Sequence, residues 1–131
     1  MSMKEPIVYS NFLFFVNALL YGVLGFPTLM VLFSFSAFFS LQYHRYPKSD
    51  ILHQLDRIFA VLALLVVLST SFMTLSLLNF GILFSIALST LLVKRYGDIQ
   101  TDEVYYKQCH TGWHLAVFFA NMVAAIILYR F

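Results

Sequence analysis

Two apolar runs in this chain are each too long for one crossing of a bilayer. Residues 7–43 would make a straight helix of roughly 55 Å, and residues 55–94 one of roughly 60 Å, at about 1.5 Å per residue. A hydrocarbon core is only about 30 Å thick, so each run has to fold back on itself. Gly22, Gly25 and Pro27 interrupt the first run near its middle, and proline suits the opening turn of a new helix. The second run carries a softer break rich in hydroxyl side chains, Ser69, Thr70, Ser71, Thr74 and Ser76. A last apolar run starts near His110. The expected architecture is an all-α integral membrane bundle of five transmembrane helices, over about 7–24, 27–44, 52–72, 76–94 and 110–129. These form a single domain, 1–131, and Tyr96–Gln108 is its one long polar loop.

Composition excludes the alternatives. The chain is 61% hydrophobic and 11% charged, whereas a soluble domain is about half apolar and about a quarter charged. Fifteen Phe and eight Tyr do not make a solvated, disordered chain. A net charge of +2 without a basic block gives nucleic acid nothing to hold. The single cysteine, Cys109, rules out an intramolecular disulfide and a multi-cysteine zinc motif. Met1–Pro6 lacks a basic segment leading to a small-residue cleavage site, so the first span is not expected to be a removable signal.

Charge then sets the expected orientation. With five spans, Lys4, Arg45, Lys48, Arg57, Lys94, Arg95 and Lys107 share one side and only Arg130 lies on the other. Seven against one places the N-terminus in the cytoplasm and the C-terminus outside.

Ionisable and polar groups in such a bundle are costly and by default face its interior. Ser36, Ser40 and His44 are spaced by four and form one stripe at the end of the second span. Asp56 opens the third span within Leu55–Phe59, and His110 and His114 stack at the start of the fifth, with Asn121 continuing that face. The topology brings Ser40, His44, Asp56, His110 and His114 to the cytoplasmic side at similar depth. Three neutral imidazoles from two helices give Zn²⁺ three ligands and leave a fourth position for water. An aspartate beside them can orient or deprotonate that water, and a serine hydroxyl can stabilise a developing oxyanion. These are the parts of a metal-assisted hydrolase of amide or ester bonds.

Each residue alone also has a plainer explanation. A His pair at i, i+4 can be interfacial polarity, Asp56 can cap its helix, and Ser40 can serve close helix packing. His44 beside Arg45 can be an interfacial residue, and His53 a solvated or capping group. The Phe-rich stretches are expected to face lipid, and Tyr43, Tyr46, Tyr105, Tyr106 and Trp113 to form an aromatic belt. Glu5, Asp98, Asp102 and Glu103 are expected to be solvated loop acids. The joint placement of five polar residues on one side favours the metal site over these separate explanations.

The order Ser40-x-x-x-His44, Asp56 twelve residues on, and His110-x-x-x-His114 in the last span resembles the CREST superfamily of membrane hydrolases. That group contains alkaline ceramidases, the progestin and adipoQ receptors and Per1-like proteins. The stretches Phe39–His44 and Leu55–Phe59 are similar in wording to its second and third helices, here in a shortened five-helix form. The resemblance implies zinc ligands at His44, His110 and His114, a water assisted by Asp56, and an oxyanion stabilised by Ser40. The expected activity is zinc-dependent cleavage of a lipid amide, ceramide-like, or of a lipid ester, on a substrate taken from the bilayer. A homodimer is kept open because five helices make a thin wall around a lipid. Two other readings stand beside it: a receptor or assembly subunit with a structural zinc site, and a b-type haem anchor through His44 and one histidine of the last span.

Overall fold

The computed structural model describes residues 6–130, so Lys4 and Glu5, weighed above, lie outside the described residues. Its elements are all helical: α1 (Pro6–Tyr9), α2 (Phe12–Val23), α3 (Pro27–Arg45), α4 (Asp50–Thr74), α5 (Leu77–Asp98) and α6 (Glu103–Arg130). The first two run on as one 18-residue element, Pro6–Val23, broken at Ser10–Asn11. There the backbone tightens to i→i−3 bonds, Asn11 N–H to the Val8 carbonyl and Phe14 N–H to the Asn11 carbonyl, both 3.2 Å. This is a short stretch of 3₁₀ geometry.

Four helices are long and apolar enough to cross a membrane: Pro6–Val23, α4, α5 and α6. The remaining helix, α3, has 19 residues and so measures about 28 Å. It is less apolar because it carries Ser34, Ser36, Ser40, Gln42, His44 and Arg45. Its buried face consists of Leu29, Phe33, Ser36, Ala37, Ser40 and His44, so half of that polarity is turned inward. Large apolar side chains such as Leu19, Val23, Phe72, Met73, Leu77 and Leu78 are exposed on the outside of the bundle. That surface suits lipid, not water.

Local chemistry explains the junctions and moves some expected boundaries. Gly25 has φ of +88°, a backbone region open to glycine, and it lets Pro27 start α3 directly after the turn. Ser49 caps α4 by accepting the Leu52 N–H at 3.3 Å. Asp56 therefore lies well inside the helix, and capping is not its role. Ser76 accepts the Asn79 N–H at 3.2 Å and opens α5 after a turn at Leu75. The expected polar loop 96–108 is mostly helix, because α5 continues to Asp98 and α6 begins at Glu103. Its charges sit in i, i+4 pairs, Lys94 with Asp98 at 2.6 Å and Glu103 with Lys107 at 3.0 Å, which suit helix surfaces. Asp102 caps α6 through the Tyr105 N–H at 2.8 Å.

The helices pack in a ring. α2 lies between α3 and α6, α4 packs along α3, and α5 along α6. The ring's loosest seam is between α4 and α5, although they are consecutive. Ala18, Tyr21, Phe33, Ala63, Val67, Leu83, Ala125 and Leu128 form the core. α5 and α6 approach closely at Gly97, where a Cβ would stand 3.1 Å from Cys109 Cβ and 3.9 Å from His110 N.

Two glycines give the fold its tests. Gly25→Ala meets no atom within 4 Å, so backbone strain alone should cost about 1–2 kcal/mol and lower the thermal unfolding midpoint in detergent. Gly97→Ala instead pushes on a backbone-bound Cβ that cannot swing away. It should separate α5 from α6 by a few tenths of an ångström and show as reduced cross-linking between cysteines placed on the two helices.

Candidate metal centre

The stripe Ser36, Ser40, His44 is buried as its spacing of four predicts. His114 on α6 is fully buried and His110, one turn earlier, is half-buried. α2 separates α3 from α6 over most of the ring and α1 takes its place at the site end, so only long side chains bridge the two helices there. There His44 comes against both α6 histidines. One ring nitrogen from each of His44, His110 and His114 lies within 4.8 Å of the other two. Ring centroids are 4.6 Å apart for His110 and His114, 4.9 Å for His44 and His110, and 5.6 Å for His44 and His114.

The residues fit a metal ion. Nε2 of His44 and Nε2 of His114 are buried without a hydrogen-bond partner among the described residues. An unpaired buried polar atom is costly, and a cation bridging the three nitrogens would satisfy both. Three imidazoles are a donor set that suits zinc and other late divalent metals.

Asp56 and Ser40 stand beside this cluster. Both line a cavity of about 580 Å³ among α3, α4, α5 and α6, and His110 lines it too. The Ser40 hydroxyl donates to Asn11 Oδ1 at 2.5 Å and also faces the Asp56 carboxylate. His53, Arg57, Lys94, Asp98 and Tyr106 surround the same end of the cavity. The far end is apolar, lined by Val67, Leu68, Leu83 and Ala124. One end can thus hold a polar group near the histidines while the other holds hydrocarbon.

Several residues play parts other than those their sequence positions suggested. His53 is neither capping nor free in solvent, since it stacks on Tyr43 with centroids 4.6 Å apart and lines the cavity. Tyr43, Tyr106 and Trp113 are half-buried cavity walls, whereas Tyr46 and Tyr105 are exposed as a belt requires. Phe14 and Phe33 are buried, and Phe14 sets its ring edge-on to His114 at 5.1 Å. Asp98 is a cavity residue held by Lys94, whose ammonium also sits 5.5 Å above Trp113.

Sequence reasoning missed Ser10 and Asn11. Both are buried at the break between α1 and α2, and they reach the two sides of the site. Consecutive helical residues point about 100° apart. One therefore faces α6, with Ser10 Oγ 2.6 Å from His114 Nδ1, while Asn11 faces Ser40 on α3. The available signal was two adjacent polar residues in an otherwise apolar first span, which the bilayer would tolerate only if they were paired. Asn17, also fully buried, lies two turns further on, with both amide atoms unpartnered among the described residues.

Comparison with family models, curated proteins and solved structures gave no match. The site's own geometry yields a stability test. Asn11 Nδ2 donates to the carbonyls of Ile7 at 2.7 Å and Val8 at 3.3 Å, besides holding Ser40. Asn11→Ala strands these groups and should cost on the order of 2 kcal/mol. In detergent its unfolding midpoint should fall clearly below that of wild type, while Gln54→Ala on the exposed face of α4 should leave the midpoint unchanged.

Proposed function

We propose that this protein is a zinc-dependent hydrolase of the bilayer, cleaving an amide or ester bond in a lipid. The observation that carries the proposal is the convergence of His44, His110 and His114 beside the polar end of a cavity that His110 lines and whose other end is apolar. A lipid is the substrate class that matches both ends at once. The metal-ligating group among the described residues numbers three, the count with which catalytic zinc sites keep a position open. A structural clamp would call for four.

In this proposal His44, His110 and His114 hold Zn²⁺, which supplies Lewis acidity toward a carbonyl and makes a water acidic. Asp56 takes the proton from the attacking water and returns it to the departing amine or alcohol. The Ser40 hydroxyl, turned from Asn11 into the cavity, donates a hydrogen bond to the carbonyl oxygen as that oxygen gains charge. The Lys94–Asp98 pair and Tyr106 border the lipid's polar part, and the acyl portion lies among Val67, Leu68 and Leu83. The loosest seam of the ring, between α4 and α5, is the route by which lipid reaches the cavity from the bilayer.

The proposal includes five spans, α3 being the fifth. Its inward-facing polarity accounts for its lower hydropathy. The site then lies near the cytoplasmic face. Arg45, Lys48, Arg57, Lys94, Arg95 and Lys107 sit at or near the helix ends that border the site, and Arg130 ends the last helix. The order of Ser40, His44, Asp56, His110 and His114 supports kinship with the CREST hydrolases in a five-helix form, with a ceramide-like amide as the favoured substrate.

Metal content of detergent-purified protein tests the proposal directly. The wild type should hold close to one zinc per chain, and His44→Ala and His114→Ala should each lose it. A wild type free of zinc after chelator-free purification overturns the proposal. Against a panel of lipid amides and esters, Asp56→Asn should keep its zinc and lose about 10²–10⁴-fold in turnover.

A further inference from the structure

The His114 ring has two nitrogens in different settings. Nε2 is buried and lacks a partner among the described residues, in a ring that belongs to the cluster of His44, His110 and His114. Nδ1 lies 2.6 Å from Ser10 Oγ. Ser10 Oγ in turn lies 3.0 Å from the Ile7 carbonyl oxygen, which can only accept. One hydroxyl hydrogen serves both contacts, so two arrangements compete.

If Ser10 donates to Nδ1, the ring hydrogen sits on Nε2. A buried N–H then points among two other imidazoles with no acceptor assigned to it, and the ring offers no lone pair there. If Ser10 instead donates to Ile7, its oxygen accepts from Nδ1–H. Every hydrogen on the path from His114 through Ser10 to Ile7 then has an acceptor, and Nε2 presents a bare lone pair to His44 and His110. A buried donor left unmet is costly, so the second arrangement wins.

The break in the first helix makes this possible. Asn11 N–H bonds to Val8, not to Ile7 as a continuous α-helix would require, which frees the Ile7 carbonyl for side-chain donors. Ser10 uses it at 3.0 Å and Asn11 Nδ2 at 2.7 Å. A carbonyl has two lone pairs, and both are engaged.

We propose that Ser10 is a positioning residue of the metal site, locking His114 with its hydrogen on Nδ1 so that Nε2 is the ligand atom. The role is that of an outer partner that fixes which nitrogen faces the metal. It rests on the proposed metal site for its purpose, but its own content, the placement of one hydrogen, is separable from that site.

Nitrogen-15 chemical shifts of His114 test it in the full chain in detergent micelles, stripped of metal and held at one pH. His114→Ala, by its missing signal, supplies the assignment. The wild type should show the hydrogen on Nδ1 and a bare Nε2. Ser10→Ala should give a mixture of the two forms, and Ser10→Thr, which keeps the hydroxyl, should restore the first. Titration with Zn²⁺ should show affinity weakened 10–100-fold in Ser10→Ala and recovered in Ser10→Thr. A wild-type His114 with its hydrogen on Nε2 overturns the proposal, and so does a Ser10→Ala spectrum identical to wild type. Should Ser10→Ala not fold, the wild-type spectrum and Ser10→Thr decide the matter. A wild type that takes up no zinc would remove the proposed function, yet the nitrogen spectra would still decide the role of Ser10.

Discussion

In a helix bundle surrounded by hydrocarbon, side-chain polar atoms are satisfied by other groups of the protein, backbone included, or by a bound ligand. Most polar groups in this protein follow that rule locally, through hydroxyl bonds to the carbonyl one turn back, as at Ser34, Ser71, Ser85 and Ser89. The site end departs from it. There Ser10, Asn11, Ser40 and His114 reach across α1, α3 and α6, and Nε2 of His44 and His114 has no partner among the described residues. The long-range bonds hold three helices in register, and the orphaned nitrogens are what that register presents.

The ring arrangement follows from where side chains are small. Gly97 lets α5 approach α6 closely, and Ala18, Ala37, Ala63 and Ala125 are buried between helices. Small residues permit close backbone contact where lipid removes the hydrophobic drive for association. α4 and α5, by contrast, carry large apolar groups outward and touch each other little. The cavity is the space that this unequal packing leaves, bounded by tight pairs on two sides.

Much of the fold was legible in the chain. The length of the two apolar runs demanded breaks, and the breaks fell at Gly25 and Leu75–Ser76, close to the residues that looked like breaks. The His44 stripe and the His110–His114 pair were legible because helical spacing repeats at three to four residues. Asp98 and Glu103 are less legible, since charge between two apolar runs suits a loop and a paired helix surface alike, and here it is the latter. Ser10 and Asn11 were missed because adjacent residues form no periodic face, and neither belongs to a metal-ligand type.

Sequence by itself determined the helical class, the approximate extent of most helices and the helix faces that carry the three histidines, although α6 begins at Glu103 and so holds His110 and His114 about two to three turns inside it. Those properties depend on hydropathy and on a 3.6-residue period, both of which act along the chain. Only the tertiary structure decided that α1 lies between α3 and α6 at the site end, and that Ser10 meets Nδ1 of His114. It also decided that Tyr43 and Trp113 line a cavity where an interfacial belt had been expected. Such relations depend on which helices are neighbours and on their rotation about their own axes, set by packing between residues about a hundred positions apart in sequence.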